Sequence, residues 1–339
     1  MLGPLMIDVA DHTLTGEDRD VLQHPLVGGV ILFTRNYADP AQVQALIASI
    51  RAVRRELLIA VDYEGGRVQR FRPDEHGRGF TRVPPMRSLS SNEHAQHMGW
   101  LIARELRAVD ADLPFAPVLD IDYGNSEIIG NRAFGGDAAT ISDRTQAFIT
   151  GLNAGGMLAT GKHFPGHGFV APDSHIELPV DERAMVDLQA DIQPYRDLIK
   201  TGQLASVMMA HIVYPQVDSL PASLSRVWVQ NILRGDLGFE GAIFCDDLSM
   251  GGAAGLGGYV DRAEAAWAAG CDMLPVCNNR EGSVQLLDGW RVDVRGAQAR
   301  ATHARLEALR ARGEASSLVA VQQGAQWLAA VAAAQNSLT

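Results

Sequence analysis

Residues 156–168 read Gly-Met-Leu-Ala-Thr-Gly-Lys-His-Phe-Pro-Gly-His-Gly, and Asp173-Ser174-His175 follows shortly afterwards. The apolar run that ends at Thr160 predicts a short buried strand, and the proline and glycines beyond it interrupt regular structure. The chain therefore leaves a strand and enters a loop rich in Lys, His and Asp. In α/β proteins such loops carry the chemistry, because the strand ends are rigid while the loops are free to vary.

Seven further apolar runs resemble this one, and polar or glycine-rich residues follow each of them. The eight predicted strands are Leu5–Val9, Gly29–Phe33, Leu57–Val61, Leu113–Leu119, Met157–Thr160, Ser206–His211, Ala242–Cys245 and Met273–Val276. Strands that alternate with helices pair in parallel through crossovers. Eight such units favour a closed (β/α)8 barrel of the TIM type over an open doubly wound sheet.

Helical spacing of apolar residues occurs between most of these strands. The predicted helices are Val43–Val53, Asn92–Val109, Ser142–Leu152, Leu188–Ile199, Ser225–Leu233, Val260–Ala269 and Ala297–Leu309. Asp39 and Pro40 are typical of a helix N-cap and first turn. Because no linker or composition shift interrupts the pattern, we expect residues 1–339 to form a single catalytic domain, with a C-terminal helix around 316–334.

The composition excludes several classes of protein. Of 339 residues, 47% are hydrophobic and 20% are charged, so the chain can bury a large core. The formal net charge of −11 disfavours nucleic acid as a partner. No apolar stretch reaches the roughly 18 residues of a membrane span, and the N-terminus is predicted to be a first strand, without the basic region of a signal peptide. Three cysteines form no disulfide or metal pattern, so we expect a cytoplasmic protein.

Charged residues or histidines follow five consecutive predicted strands. They are Asp62, Glu64, Arg67 and Arg70 after the third strand, Asp120 and Asp122 after the fourth, Lys162 and His163 after the fifth, His211 at the end of the sixth, and Asp246 and Asp247 after the seventh. In a barrel these ends converge on one face, where they can surround one ligand. A site of Asp, Arg, Lys and His without a phosphate loop suits a polyhydroxylated ligand such as a sugar.

Cleavage of a glycosidic bond needs a group that protonates the leaving oxygen and a nucleophile or base at the anomeric carbon. Asp246 and Asp247 are both candidates for the nucleophile. Because side chains alternate along a strand, only one of the two is expected to point inwards. The pattern alone does not decide which one it is.

Four motifs in this order resemble the family 3 glycoside hydrolases, specifically their bacterial β-N-acetylglucosaminidases. They are Val-Asp-Tyr-Glu-Gly-Gly-Arg-Val-Gln-Arg-Phe at 61–71, Ile-Gly-Asn-Arg-Ala-Phe at 129–134, Lys-His-Phe-Pro-Gly-His-Gly at 162–168 with Asp173-Ser174-His175, and Asp-Asp-Leu-Ser-Met at 246–250. The resemblance covers almost the whole chain. It also implies a (β/α)8 barrel, in agreement with the strand count.

The resemblance implies roles for individual residues. Asp246 is expected to be the nucleophile that forms a covalent glycosyl-enzyme, and His175 the general acid/base, with Asp173 holding its ring. A histidine can serve in this way because it titrates near neutral pH. The residues expected to contact the N-acetylglucosamine ring are Asp62, Arg70, Arg132, Lys162 and His163.

The resemblance further implies a retaining exo-β-N-acetylglucosaminidase that needs neither a metal nor a cofactor. Its substrates are expected to be small saccharides from cell-wall turnover, N-acetylglucosamine linked to anhydro-N-acetylmuramic acid with or without peptide. A monomer is expected, since a barrel is self-contained.

Three alternatives stay open at this stage. The histidines and aspartates could be ligands of a metal-dependent hydrolase. The chain could be a phosphorylase of the same family, in which phosphate replaces water as the acceptor. It could also be a sugar-binding protein without catalysis, although Asp246, Asp173 and His175 together argue against this.

Roles are also expected for three other polar residues near the site. Glu64 is expected either to pair with Arg70 or to lie in the turn before Gly65. His211 is expected to order polar groups beneath the site. His167 is expected either to fold its loop or to contact the ligand.

Overall fold

The computed structural model describes residues 1–170, 178–250 and 257–337. The strands are β1 Leu5–Ile7, β2 Val27–Leu32, β3 Leu58–Val61, β4 Tyr63–Gly65, β5 Val68–Gln69, β6 Leu113–Pro114, β7 Thr160–Phe164, β8 Ser206–Met209, β9 Val213–Tyr214, β10 Asp218–Pro221, β11 Ala242–Phe244 and β12 Leu274–Val276. The helices are α1 Gly16–Gln23, α2 Pro40–Val53, α3 Asn92–Arg107, α4 Ala138–Gly155, α5 Gln189–Lys200, α6 Tyr259–Ala269, α7 Arg280–Gly289, α8 Ala297–Glu307, α9 Leu318–Gln322 and α10 Ala325–Asn336. Short 3₁₀ helices cover Thr34–Asn36, Met86–Ser88, Gly130–Arg132 and Ala222–Leu224, and a π-helix covers Val227–Asp236.

The predicted alternation of strands and helices is confirmed, and each of the eight predicted strands has a counterpart. The predicted cap of α2 is also confirmed, because the side chain of Asp39 accepts a hydrogen bond from the backbone N–H of Gln42 and Pro40 begins the helix. The sequence patterns did not predict α1 and α7. Both are short, and α1 begins with a capping box between Thr15 and Asp18.

The eight strands pair in parallel in two sheets. A five-stranded sheet has the order β12-β1-β2-β3-β6, and a three-stranded sheet has the order β11-β8-β7. A single parallel bridge between Val118 and Lys162 joins the sheets at one edge, and another between Phe244 and Met273 joins them at the other. The observed architecture is thus an α/β fold with parallel sheets.

Two predicted strands have substantially different bounds in the structure, whereas the other six differ by at most two residues at either end. The fourth, predicted over Leu113–Leu119, is reduced to β6 because Pro114 and Pro117 lack the N–H that a continuous ladder requires. The fifth, predicted to end at Thr160, begins there. Its pairing with Ser206–Met209 makes Lys162 and His163 part of strand β7 rather than of the loop after it.

Apolar side chains cover both faces of the strands. Along β1, Leu5 and Ile7 belong to the larger buried cluster, which includes residues of the surrounding helices, whereas Met6 belongs to a second cluster. The same alternation occurs in β3. The second cluster includes Ile31, Phe115, Met208 and Phe244 from four different strands or their continuations. Strands buried on both faces are typical of parallel sheets that are covered by helices.

The C-terminal segment packs against α3. Where the sequence predicts one helix over residues 316–334, the chain forms α9 and α10, because Gln323 ends the first helix and Gly324 caps the second with an extended conformation. The indole N–H of Trp327 in α10 donates to the buried carboxylate of Glu105 in α3 (2.9 Å). None of the helices within residues 1–170, 178–250 and 257–337 has the length and hydrophobicity that a membrane span requires.

Candidate active site

A cavity of about 280 Å³ lies at the carboxyl ends of the parallel strands. Its base is apolar, with Ile31, Phe115 and Met208 from the second buried cluster. Its charged and titratable lining residues are Asp62, Arg67, Arg70, Arg132, Lys162, His163, His167, Asp246 and Asp247. An apolar base with a few convergent polar groups is the usual composition of a small-molecule site.

Six of the eight site residues predicted from the sequence line this cavity together. They are Asp62, Arg70, Arg132, Lys162, His163 and Asp246. The other two, Asp173 and His175, lie outside the described residues. The elements that bring the six together are strands β3, β7 and β11 and the loops that follow β3 and β6, as expected where the ends of parallel strands meet.

Asp62 is the first residue after β3 and bridges two cations. Its carboxylate accepts from Arg70 Nη2 (3.0 Å) and from Lys162 Nζ (3.0 Å). Burial alone would raise the pKa of Asp62, but the charges of Lys162 and Arg70 outweigh burial and lower that pKa. Asp62 is therefore a carboxylate at neutral pH, and it fixes the positions of two donors.

Glu64 lies two residues further on, in β4, and is 1% exposed. Arg132 donates to both of its oxygens (2.8 Å each), and Lys162 Nζ lies 2.6 Å from Oε1. The expectation that Glu64 pairs with Arg70 is therefore wrong, since Asp62 is the acceptor for Arg70. Burial raises the pKa of Glu64, but Arg132 and Lys162 lower it to about 2. The same ion pair overcomes burial and raises the pKa of Arg132.

Asp120 is a buried carboxylate that the sequence predicted at a strand end but to which it gave no role. One oxygen, Oδ1, accepts the backbone N–H groups of His163 (3.2 Å) and His167 (2.7 Å). The other, Oδ2, lies 2.8 Å from His163 Nδ1. Burial raises the pKa of Asp120, but the neighbouring charge of His163 and the hydrogen bonds lower it overall.

Asp246 and Asp247 both line the cavity, although only one was expected to point inwards, because β11 ends at Phe244 and strand alternation does not extend to them. Their contacts differ. Asp246 Oδ1 accepts the backbone N–H of Asp247 (2.9 Å). Asp247 Oδ1 accepts the N–H and hydroxyl of Ser249 (2.9 and 2.8 Å) and the N–H of Cys277 (3.0 Å). Burial raises the pKa of Asp247 to about 6. Through these contacts, Asp247 links the chain after β11 to the chain after β12.

Two further histidines lie in or near the cavity. His211 is buried; its Nδ1 contacts Ser223 Oγ, and its Nε2 lies 3.1 Å from the carbonyl oxygen of Asp247. It thus orders the backbone beneath the site, as predicted. His167 lines the cavity, with its ring centroid 5.8 Å from that of His163. Burial and the neighbouring His163 lower the pKa of His167.

Sequence reasoning missed the contribution of Phe33. This half-buried ring lines the cavity, and the guanidinium carbons of Arg35 and Arg70 lie 4.9 and 5.4 Å from its centroid. The available signal was its position as the last residue of a predicted strand.

Within the ranges that the structure describes, no group of three or more His, Cys, Asp or Glu residues could hold a metal ion.

Comparisons with known proteins agree with the resemblance. The family model for the glycosyl hydrolase family 3 N terminal domain matches residues 5–304. A beta-hexosaminidase of Thiobacillus denitrificans is 51% identical, over 97% of this chain and 92% of the relative. Native NagZ from Neisseria gonorrhoeae has a TM-score of 0.90 and 40% identity, over 100% of this chain and 98% of that one. The same values hold for that NagZ in complex with N-trifluoroacetyl-D-glucosamine.

The family model spans most of the chain, and the beta-hexosaminidase relative is about half identical to it over nearly its full length. The chain belongs to glycosyl hydrolase family 3, and it is a glycoside hydrolase of the beta-hexosaminidase type.

Proposed function

We propose that the chain is a retaining exo-β-N-acetylglucosaminidase that removes a terminal β-linked N-acetylglucosamine through a covalent glycosyl-enzyme. The observation that carries this proposal is the presence of Asp246 in one cavity with Asp62, Arg132, Lys162 and His163. The cavity, at about 280 Å³, is close to the lower end of the usual range of small-molecule sites, roughly 300–1,000 Å³. A cavity of this size favours one sugar unit over a longer chain.

The charged groups around the cavity suit the hydroxyl groups of a sugar. Asp62 can accept from hydroxyls, while Arg70, Arg132 and Lys162 can donate to them. Asp62 and Glu64 hold these cations in place through ion pairs, and those of Glu64 are largely buried. The relative that binds N-trifluoroacetyl-D-glucosamine supports an N-acetylated glucosamine as the sugar.

In the proposed first step, a carboxylate oxygen of Asp246 forms a bond with the anomeric carbon as the bond to the glycosidic oxygen breaks. The leaving oxygen takes a proton from His175. In the second step water attacks the anomeric carbon, gives a proton back to His175, and releases Asp246 as a carboxylate. Asp173 is proposed to orient His175; both roles are carried over from the sequence motif.

Asp246 is favoured over Asp247 as the nucleophile because of the contacts of Asp247. Three donors from Ser249 and Cys277 converge on Asp247 Oδ1. Bond formation at the anomeric carbon would compete with those hydrogen bonds.

We also propose that the eight parallel strands form a (β/α)8 barrel in one domain. Two observations support this arrangement: single parallel bridges join the two sheets at both edges, at Val118–Lys162 and at Phe244–Met273. In addition, the second buried cluster draws on strands of both sheets, which is the composition of a barrel interior.

The natural substrate is proposed to be a cell-wall turnover fragment, N-acetylglucosamine linked to anhydro-N-acetylmuramic acid with or without peptide, cleaved in the cytoplasm by a monomer. The motif resemblance supports the substrate. The three cysteines are free and buried, which is compatible with a reducing compartment.

Nitrophenol release from nitrophenyl β-N-acetylglucosaminide tests the activity. The protein should first be treated with EDTA and assayed in phosphate-free buffer. We expect rapid release and a free sugar as product. Activity that returns only with zinc would favour a metal-dependent hydrolase. Activity that needs added phosphate and yields a sugar 1-phosphate would favour a phosphorylase.

A further inference from the structure

The contacts of Asp120 place it to control the orientation of the His163 side chain. It is 1% exposed, and both of its oxygens are engaged with the segment 163–167. Oδ1 accepts two backbone N–H groups, so it fixes the path of this segment. Oδ2 faces the imidazole Nδ1 of His163, whose side chain lines the cavity.

The position of Oδ2 determines where the neutral imidazole carries its proton. A carboxylate accepts hydrogen bonds but donates none, so His163 Nδ1 must present N–H to Asp120. In the neutral ring, Nε2 then has a lone pair and acts as an acceptor. This complements the neighbouring Lys162 and Arg132, which can only donate. A sugar hydroxyl beside these three side chains thus meets one acceptor, His163 Nε2, and two donors, Lys162 and Arg132.

We propose that Asp120 is a positioning residue that holds His163 as the Nδ1–H tautomer, so that Nε2 accepts a hydrogen bond from a hydroxyl of the bound sugar. The proposal rests on the proposed function, because it takes His163 as a sugar contact. It gives a buried carboxylate that does not line the cavity a defined effect on substrate binding. For metal-binding histidines, the partner that orients the ring typically contributes about 10–100-fold to affinity or activity, and we expect an effect of similar size for His163.

The substitution Asp120→Asn reverses this tautomer if the proposal is correct. Two backbone N–H groups converge on Oδ1, so the single amide oxygen of asparagine is expected to stay there. The amide NH₂ then faces His163 Nδ1, which must accept. The imidazole proton moves to Nε2, and His163 no longer presents an acceptor to the cavity.

The experiment combines long-range ¹H–¹⁵N NMR of the histidine rings with kinetics on nitrophenyl β-N-acetylglucosaminide. The His163 signals are assigned from their loss in His163→Gln. We expect the Nδ1–H tautomer in the wild type at pH 8 and the Nε2–H tautomer in Asp120→Asn. We expect kcat/KM to fall about tenfold or more in Asp120→Asn relative to the wild type. In the double variant, Asp120→Asn should lower kcat/KM by less than about twofold relative to His163→Gln alone.

Asp112→Asn is the matched control. Asp112 is also buried and accepts a backbone N–H, from Ile59 (2.8 Å), but it does not line the cavity. It should lose stability without a change in the His163 signals or in kcat/KM. Equal losses from Asp120→Asn with and without His163 would overturn the proposal, because Asp120 would then act independently of His163.

The two readouts separate this proposal from the proposed function. A wild type that does not cleave the glycoside contradicts the function, while the NMR result still decides the tautomer. An Nε2–H tautomer in the wild type overturns the role of Asp120 even in an active enzyme. If Asp120→Asn does not fold, the wild-type tautomer and the kinetics of His163→Gln decide the matter: an Nδ1–H ring and a tenfold loss support the proposal.

Discussion

Asp246 and Asp247 follow the same strand, yet their carboxylates have different surroundings. Asp247 stabilises the junction with Ser249 and Cys277. We therefore predict that Asp246→Ala lowers kcat by roughly 10³-fold or more, whereas Asp247→Asn, which keeps the acceptor oxygen, loses far less. Steady-state kinetics on the nitrophenyl glycoside measure both variants. A larger loss in Asp247→Asn would show that the nucleophile is assigned to the wrong residue.

A second prediction at the residue scale concerns His175, whose role comes from the motif. A nitrophenol needs little protonation as it leaves, whereas a sugar alcohol needs a full proton. His175→Ala should therefore lose about 10²–10⁴-fold on a disaccharide and much less on the nitrophenyl glycoside. Comparing kcat/KM for the two substrates tests this. Equal losses would argue that His175 does not protonate the leaving oxygen.

The raised pKa of Asp247 leads to a prediction about pH. Because burial raises the folded-state pKa to about 6, above the value in an unfolded chain, the folded state holds the proton more tightly. The stability that this proton contributes is complete below pH 4 and is lost as the pH rises through 6. Because the wild type loses this contribution at pH 7, the Tm of Asp247→Asn relative to that of the wild type should be higher at pH 7 than at pH 4. Thermal unfolding at the two pH values measures this difference. The opposite trend would mean that Asp247 is stabilised as a carboxylate.

At the scale of elements, Glu64 joins β4 to β7 and to the loop that contains Arg132. We predict that Glu64→Gln lowers the free energy of unfolding by about 3–5 kcal/mol at neutral pH, since it leaves buried cations without their partner. KM should rise as well, because Arg132 and Lys162 lose their fixed positions.

The pH dependence of that loss is a further check. The pKa of Glu64 is about 2 in the folded chain, so its contribution to stability is present above pH 4.5 and disappears as the pH falls towards 2. Denaturant unfolding at pH 7 and pH 3 should show a smaller difference between the variant and the wild type at the lower pH. Glu127→Gln, an exposed carboxylate near the site, is the control and should change little.

The sequence predicted elements better than their contacts, for physical reasons that particular residues illustrate. The eight strands were predicted because apolar runs punctuated by polar and glycine-rich residues are a local signal. The true span of β7 was not predicted, because it is determined by pairing with β8 and with the backbone at Pro117 and Leu119. Similarly, Glu64 could be predicted to pair with an arginine, but only the path of the chain determines that this arginine is Arg132.

Asp120 and Phe33 show the same limit within the site. Each stands at a strand end, where the sequence predicts function in general, but the contacts of Asp120 and the contact of Phe33 with Arg70 join residues that are far apart in the chain. Asp120 contacts residues more than forty positions away, and such contacts leave no periodic signal in the chain. By contrast, six site residues carried by motifs were found together around one cavity.

At the scale of the whole molecule, the C-terminal helices add stability away from the cavity. Trp327 donates to Glu105, which also accepts the N–H and hydroxyl of Thr81. We predict that Trp327→Phe lowers the free energy of unfolding by about 1–3 kcal/mol and leaves kcat/KM unchanged. Leu328→Ala is the control, because this neighbour is 58% exposed and should cost little. A loss of activity in Trp327→Phe would show that the C-terminal packing extends its influence to the site.

The proposed mechanism requires that Asp246 form a covalent bond with N-acetylglucosamine in this cavity. The most direct measurement is mass spectrometry of the protein after reaction with a 5-fluoro-N-acetylglucosaminyl fluoride, a probe that forms the glycosyl-enzyme faster than water removes it. We predict one added sugar on the peptide that contains Asp246, with tandem fragmentation placing it on that residue. An adduct on Asp247 or elsewhere, or turnover of the probe with inversion and no adduct, would contradict a covalent mechanism through Asp246.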